Sequence, residues 1–116
     1  MRNLLFLLTI ISTSSIAGDY ATCILDKMPE VQNDQAARVV ISLCAGQYPN
    51  ALLEVEQGSG RGLFGYKSGR DCMMAIGKET PSNLAGRMIF IACSKLYDEE
   101  KKPWEEYQNL QKGNQP

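Results

Sequence analysis

The chain has 116 residues, twelve basic and thirteen acidic side chains, a formal net charge of −1 and no histidine. Its length allows one small domain, and its near-neutrality gives no electrostatic basis for wrapping nucleic acid, where affinity comes from neutralised phosphates. Without histidine, Ser–His–Asp and Cys–His nucleophile systems and zinc sites with His ligands are excluded.

Residues 1–17 read as a cleaved export signal. Met1-Arg2-Asn3 is a short positive start, Leu4 to Ile11 is apolar except for Thr9, and Ser15 and Ala17 supply the small side chains a signal peptidase needs. The apolar run falls short of the roughly 20 residues that span a hydrocarbon core. A lipoprotein signal does not fit, because Tyr20-Ala21-Thr22 precedes Cys23. The mature chain then starts near Gly18, carries a net charge of −2 after the loss of Arg2, and has no second hydrophobic span to anchor it.

Tyr20 to Met28 is a short, mostly apolar segment closed by Pro29. Asn33 or Asp34 then offers a helix N-cap. Ala36, Val39, Val40, Leu43 and Cys44 recur at helical spacing, with Asp34 and Arg38 paired at i,i+4 on the other side. Gly46 and Pro49 end that helix. From 51 to 71 the composition changes. Leu52 to Glu56 alternates weakly, Gly58-Ser59-Gly60-Arg61-Gly62 reads as a flexible turn, and Leu63 to Lys67 as a second strand, so a β-hairpin is expected. Cys72 to Ile76 is uniformly apolar and reads as helix or strand. Either Thr80 or Ser82 caps the next helix, whose apolar face holds Leu84, Met88, Ile89, Ala92, Cys93 and Leu96. After Tyr97, Pro103 opens a short amphipathic turn with Trp104, Tyr107 and Leu110.

Shifting the chain by 49 residues lays Cys23–Tyr48 over Cys72–Tyr97 without a gap. Six of 26 positions agree: Cys23/Cys72, Glu30/Glu79, Ala36/Ala85, Arg38/Arg87, Cys44/Cys93 and Tyr48/Tyr97. Chance would give roughly one or two. The expected fold is therefore mainly α (α+β): two pseudo-repeated, disulfide-stapled helical hairpins joined by a β-hairpin. Its parts are repeat one (20–50), a glycine-rich hairpin (51–71) and repeat two (72–98) in one four-cysteine domain (18–98), followed by a charged tail (99–116).

Four cysteines in a short exported chain read as two disulfides. Pairing Cys23 with Cys44 and Cys72 with Cys93 is favoured because each unit is then self-contained, although all three pairings satisfy the pseudo-symmetry. A four-cysteine zinc site or a thiol oxidoreductase lacks the close CxxC pair that either chemistry uses.

The glycine loop is not a nucleotide site. Gly60-Arg61-Gly62-Leu63-Phe64-Gly65-Tyr66-Lys67-Ser68 has one residue too many before its lysine for a P-loop. Gly60, Gly62 and Gly65 match GxGxxG in letters only, without a βαβ unit around them. Two readings of the loop stand. Arg61, Phe64, Tyr66, Lys67 and Arg70, with Trp104 in the tail, form a recognition surface for an envelope protein, a glycan or a lipid headgroup. In the other reading the aromatics cover the helices and the charges are solvated. The acidic tail either folds back on the basic loop, engages a partner through Trp104, or is a solvated charge run. Arg38/Arg87 and Tyr48/Tyr97 read as two equivalent binding points or as packing residues kept from the duplication.

CILDKMPEVQNDQAARVVISLC-AGQYP, GYKSGRDC and TPSNLAGRMIFIACSKLY resemble a group of small exported four-cysteine proteins of Gram-negative bacteria with a duplicated C…AA…C…Y module. The resemblance runs from about Tyr20 to Tyr97. It implies a periplasmic or secreted location and a doubled architecture, and it carries no catalytic residues and no assigned activity. Ala85-Gly86 departs from the Ala-Ala of the pattern. The expected function is a non-enzymatic binding or accessory module that uses no cofactor and no metal. The alternatives are a secreted effector or small hydrolase working through carboxylates, and an inhibitor whose hairpin enters another exported enzyme.

Overall fold

Short polar side chains set the start of each of the first four helices. In the computed structural model, which describes residues 18–101 and 103–113, Asp19 accepts from the Thr22 N–H at 2.8 Å and opens α1 (Tyr20–Lys27). Asn33 accepts from Ala36 N–H at 2.8 Å and opens α2 (Asp34–Gln47). Ser68 accepts from Asp71 N–H at 3.1 Å and opens α3 (Gly69–Ile76). Ser82 accepts from Ala85 N–H at 3.0 Å and opens α4 (Asn83–Tyr97). Each cap satisfies an amide that has no partner within its own helix. Proline, with no N–H to satisfy, starts α5 (Pro103–Gly113). The export signal expected over residues 1–17 lies outside the described residues.

The long helix α4 is the centre of the packing. It lies against α3 and α1 and touches α2, and α1 also packs on α2. Ile24, Met28, Ile89 and three of the cysteines are wholly buried between these helices. The bridges run Cys23–Cys44 and Cys72–Cys93, each joining a short helix to the long helix that follows it, with Cα–Cα distances of 5.8 and 5.6 Å. This is the self-contained pairing. In the chain-entropy view, closing a loop of this length is worth on the order of 3 kcal/mol per bridge. Two such bridges in so small a core indicate an oxidising, extracytoplasmic environment. Among the described residues no helix is long and apolar enough to cross a membrane.

The β-hairpin expected over 51–71 does not form, and the α+β assignment is corrected to an all-helical fold: the described residues contain no strand. Ala51–Glu54 is a short 3-10 helix, entered with Ala51 at a φ of 50°. Residues 55–68 are irregular turns, and 69–71 already belong to α3. A hairpin needs its amides for a partner strand, whereas here Gly58 and Gly60 donate to the end of α4 and Ser59, Arg61 and Gly65 donate to carbonyls within the loop's own turns.

Cys72–Ile76, open between helix and strand, is the greater part of α3. The caps resolve to Asn33 and Ser82, which stand 49 positions apart, rather than to Asp34 and Thr80. The buried face of α2 is Ala37, Val40 and Cys44, rotated from the expected one, which leaves Val39 and Leu43 more than half exposed. Asp34 makes no close ion pair with Arg38 among the described residues. Its Oδ1 instead accepts from the Ser82 hydroxyl at 2.6 Å and the Leu84 N–H at 3.2 Å, joining the N-termini of α2 and α4.

Candidate functional site

The last carbonyls of an α-helix have no amide of their own to accept from. On α4 the 57–61 segment supplies donors for them. Gln57 Nε2 donates to the carbonyls of Ser94 (2.8 Å) and Asp98 (2.9 Å). Gly58 N–H donates to Lys95 O at 2.8 Å and Gly60 N–H to Leu96 O at 2.9 Å. Arg61 Nη1 completes the set on Tyr97 O at 2.6 Å. Five consecutive carbonyls, from Ser94 to Asp98, thereby accept from one loop, Ser94 O in addition to the Asp98 N–H at 3.1 Å.

The far side of the loop is fastened to the same helix end. Arg61 Nη1 also donates to Lys67 O at 3.0 Å, and Nη2 meets the Glu99 carboxylate at 3.2 Å. Tyr66 sets its ring edge-on to Tyr97, with centroids 5.2 Å apart. Asp98 Oδ1 accepts from Gly69 N–H at 2.8 Å and so ties the start of α3 to the end of α4. A Cβ on Gly69 would stand 2.7 Å from Ser94 Cα, and one on Gly65 would run into the Gly60 carbonyl. Both positions therefore need glycine for close backbone approach.

On this fastened base stands a turn. Gly65 N–H donates to Gly62 O at 3.3 Å, which places Leu63 and Phe64 at its two corners. Corner positions favour Gly, Pro, Asn, Asp and Ser. Here they carry two large apolar side chains that are 92% and 97% exposed. Paired exposed apolar groups on a well-braced turn contribute nothing to the core, which makes the turn the candidate site.

The six residues expected to form a recognition surface divide. Phe64 is held out in solvent, and Lys67 and Arg70 are exposed nearby in the chain, in no ion pair among the described residues. Arg61 is a bracing residue, since its guanidinium is engaged with two carbonyls and Glu99. Tyr66 packs on Tyr97. Trp104 lies on α5, 59% exposed. Among the described residues there is no strand to put Phe64 and Tyr66 on one face. Leu63, not among the six, stands beside Phe64 on the exposed turn; its signal was a second apolar residue between Gly62 and Gly65.

Beside the loop, Gln57, Phe90, Ser94, Lys95 and residues 98–101 line an open cleft of about 550 Å³. Two of its carboxylates have structural duties, Asp98 on Gly69 N–H and Glu99 on Arg61. Among the described residues, no group of three or more His, Cys, Asp or Glu is placed to hold a metal ion.

The matched pairs Tyr48/Tyr97 and Arg38/Arg87 make packing and electrostatic contacts. Tyr97 covers Gly60, and Tyr48 lies over Gly18. Arg38 and Arg87 both bear on Asp34, whose carboxyl is held below its ordinary range chiefly by the Ser82 hydroxyl and then the Leu84 amide; some loss of hydration opposes this, and the two guanidinium groups add a smaller push. Comparison of the chain with protein-family models, with curated proteins and with solved structures finds no match.

Proposed function

We propose that this chain is an exported, disulfide-stabilised binding or accessory module of a bacterial envelope, in the periplasm or secreted, and that the turn Gly62–Gly65 is its recognition element. The resemblance to duplicated four-cysteine exported proteins, the signal-like residues 1–17 and the two bridges support the location. The observation that carries the function is the exposure of Leu63 and Phe64 on a turn whose base is bound to α4. An anchor of this kind is set in place before binding, so little freedom is lost when it enters a partner's apolar pocket. Lys67 and Arg70 supply charge at the rim.

The test is affinity capture from the cell envelope with wild type and with the pair Leu63→Ser and Phe64→Ser. The expected result is a discrete partner that is lost in the variant, with the melting temperature of the variant unchanged. Equal capture by both proteins would remove the turn from the mechanism.

A second reading follows from the same convex loop, that of an inhibitor which inserts the turn into the cleft of another exported enzyme. It differs in its readout, because the captured partner would be an enzyme whose rate falls on addition of this protein. A carboxylate-based hydrolase is less well supported, since Asp98 and Glu99 are engaged in holding the loop and α3.

A further inference from the structure

Residues 49 apart occupy matching places in the two halves of the fold, and the comparison exposes an asymmetry. Gly86, Ile89 and Cys93 form the face of α4 turned to α3: Ile89 lies beside Gly77, and Cys93 is bridged to Cys72. Their counterparts Ala37, Val40 and Cys44 are the buried face of α2, with Cys44 bridged to α1. Those faces agree.

A second stripe does not. On α4, Ala85, Ala92 and Leu96 are buried and Met88 is half-buried, because α4 also packs against α1 and α2. The counterparts on α2 are Ala36, Val39, Leu43 and Gln47, and there Val39 and Leu43 stand 57% and 53% exposed. The short helices show the same contrast. Ala21 is buried and Leu25 half-buried on α1, while their counterparts Arg70 and Met74 on α3 face water, Met74 at 59% exposure. The α4 stripe that is covered by its neighbours therefore has an exposed copy on α2, and a buried edge of α1 has an exposed copy on α3.

We propose that these two copies meet between molecules: α3 of one chain docks on the Val39–Leu43 stripe of a second copy, repeating the α1–α4 contact. In stacked repeat proteins the outer face of a terminal unit is polar, whereas here α2 presents Val39 and Leu43 to water and α3 presents Met74 beside Arg70. The two surfaces differ, so the contact is head-to-tail, and it extends to a ring or a short filament rather than stopping at a two-fold dimer. It uses a different surface from the Leu63–Phe64 turn and does not depend on the function proposed for that turn.

The test is the mass of the oxidised exported chain by light scattering or sedimentation over a range of concentrations. Wild type and Phe64→Ser are expected to gain mass with concentration. Val39→Glu and Met74→Glu, both at exposed positions, are each expected to stay monomeric. Mixed one to one, they should form a species of twice the monomer mass and no larger, because each retains the surface the other lacks. Leu43→Lys serves in place of Val39→Glu if that variant melts below wild type. A wild type that remains monomeric throughout overturns the proposal. So does a Met74→Glu protein that associates like wild type, which indicates α2 against α2 or α5 against α2, and so does loss of association in Phe64→Ser, which assigns the contact to the turn.

Discussion

Arg61 Nη1 donates to the carbonyl oxygen of Tyr97 at 2.6 Å, across a sequence separation of 36 residues, and the same guanidinium holds Lys67 O and Glu99. A loop with the composition of a flexible linker is in this way made part of a helix terminus. Arg61→Ala removes the charge-assisted donor and leaves Tyr97 O without it. The expected loss is about 1–2 kcal/mol, scaled down for a side chain in contact with solvent. Hydrogen exchange at residues 58–66 should rise by more than the global change explains. An unchanged exchange rate in the loop would show that Arg61 does not brace it.

Asp34 makes stability depend on pH. Its carboxyl titrates below the ordinary value in the folded chain, first because the Ser82 hydroxyl and then the Leu84 N–H favour the charged form. A depressed acid contributes stability that is fully present above its unfolded value of about 3.9 and is lost as pH falls through the folded value. Asp34→Asn keeps an acceptor oxygen and removes the charge. Wild type should therefore melt above the variant at neutral pH, with the gap closing below about pH 4. Parallel melting curves down to pH 2 would contradict this role.

Two glycines predict opposite outcomes. At Gly86 a Cβ would make ordinary contacts, 3.5 Å to Thr80 and 3.9 Å to Met73, inside α4. Gly86→Ala is expected to stabilise by about 0.5–1 kcal/mol through helix propensity. At Gly69 the new methyl would meet the α4 backbone. Gly69→Ala is expected to destabilise by about 1–3 kcal/mol as α3 shifts. Chemical denaturation of both variants checks the signs.

Much of the helical frame was legible in the residues themselves. Asn33 and Ser82 stand in register, and the 49-residue shift pointed to Ser82 where Thr80-Pro81 was the stronger local signal. The pairing favoured because it makes each unit self-contained is the one observed, and each bridge joins helices adjacent in the chain. The loop was misread because its alternation of apolar and polar residues is short, and its Gly58 and Gly60 amides donate to Lys95 and Leu96, more than 35 residues away. Nothing local to Gly58 or Gly60 announces those acceptors. The same long-range packing decides which face of α2 is buried. Val39 and Leu43 are as apolar as Val40, and what separates them is which face of α2 meets the neighbouring helices α1 and α4.

Reduction tests the bridges. Each closes a loop with a sequence separation of 21 residues, and opening one is expected to cost on the order of 3 kcal/mol. Cys72→Ser with Cys93→Ser opens the bridge to α4 and should disorder the Leu63–Phe64 turn as well as the core. Cys23→Ser with Cys44→Ser should leave the turn closer to native. Loop exchange rates that respond equally to both pairs would argue against α4 as its support.

The central claim is that Leu63 and Phe64 are held in water in order to be buried by a partner. The most direct measurement replaces Phe64 with a photo-crosslinking phenylalanine in the exported protein in its own host, with the same group at Phe90, which is 52% exposed, as the control. A discrete adduct at position 64, absent at position 90 and lost when Leu63 is changed to Ser, is the predicted result. The same diffuse labelling from both positions would contradict it.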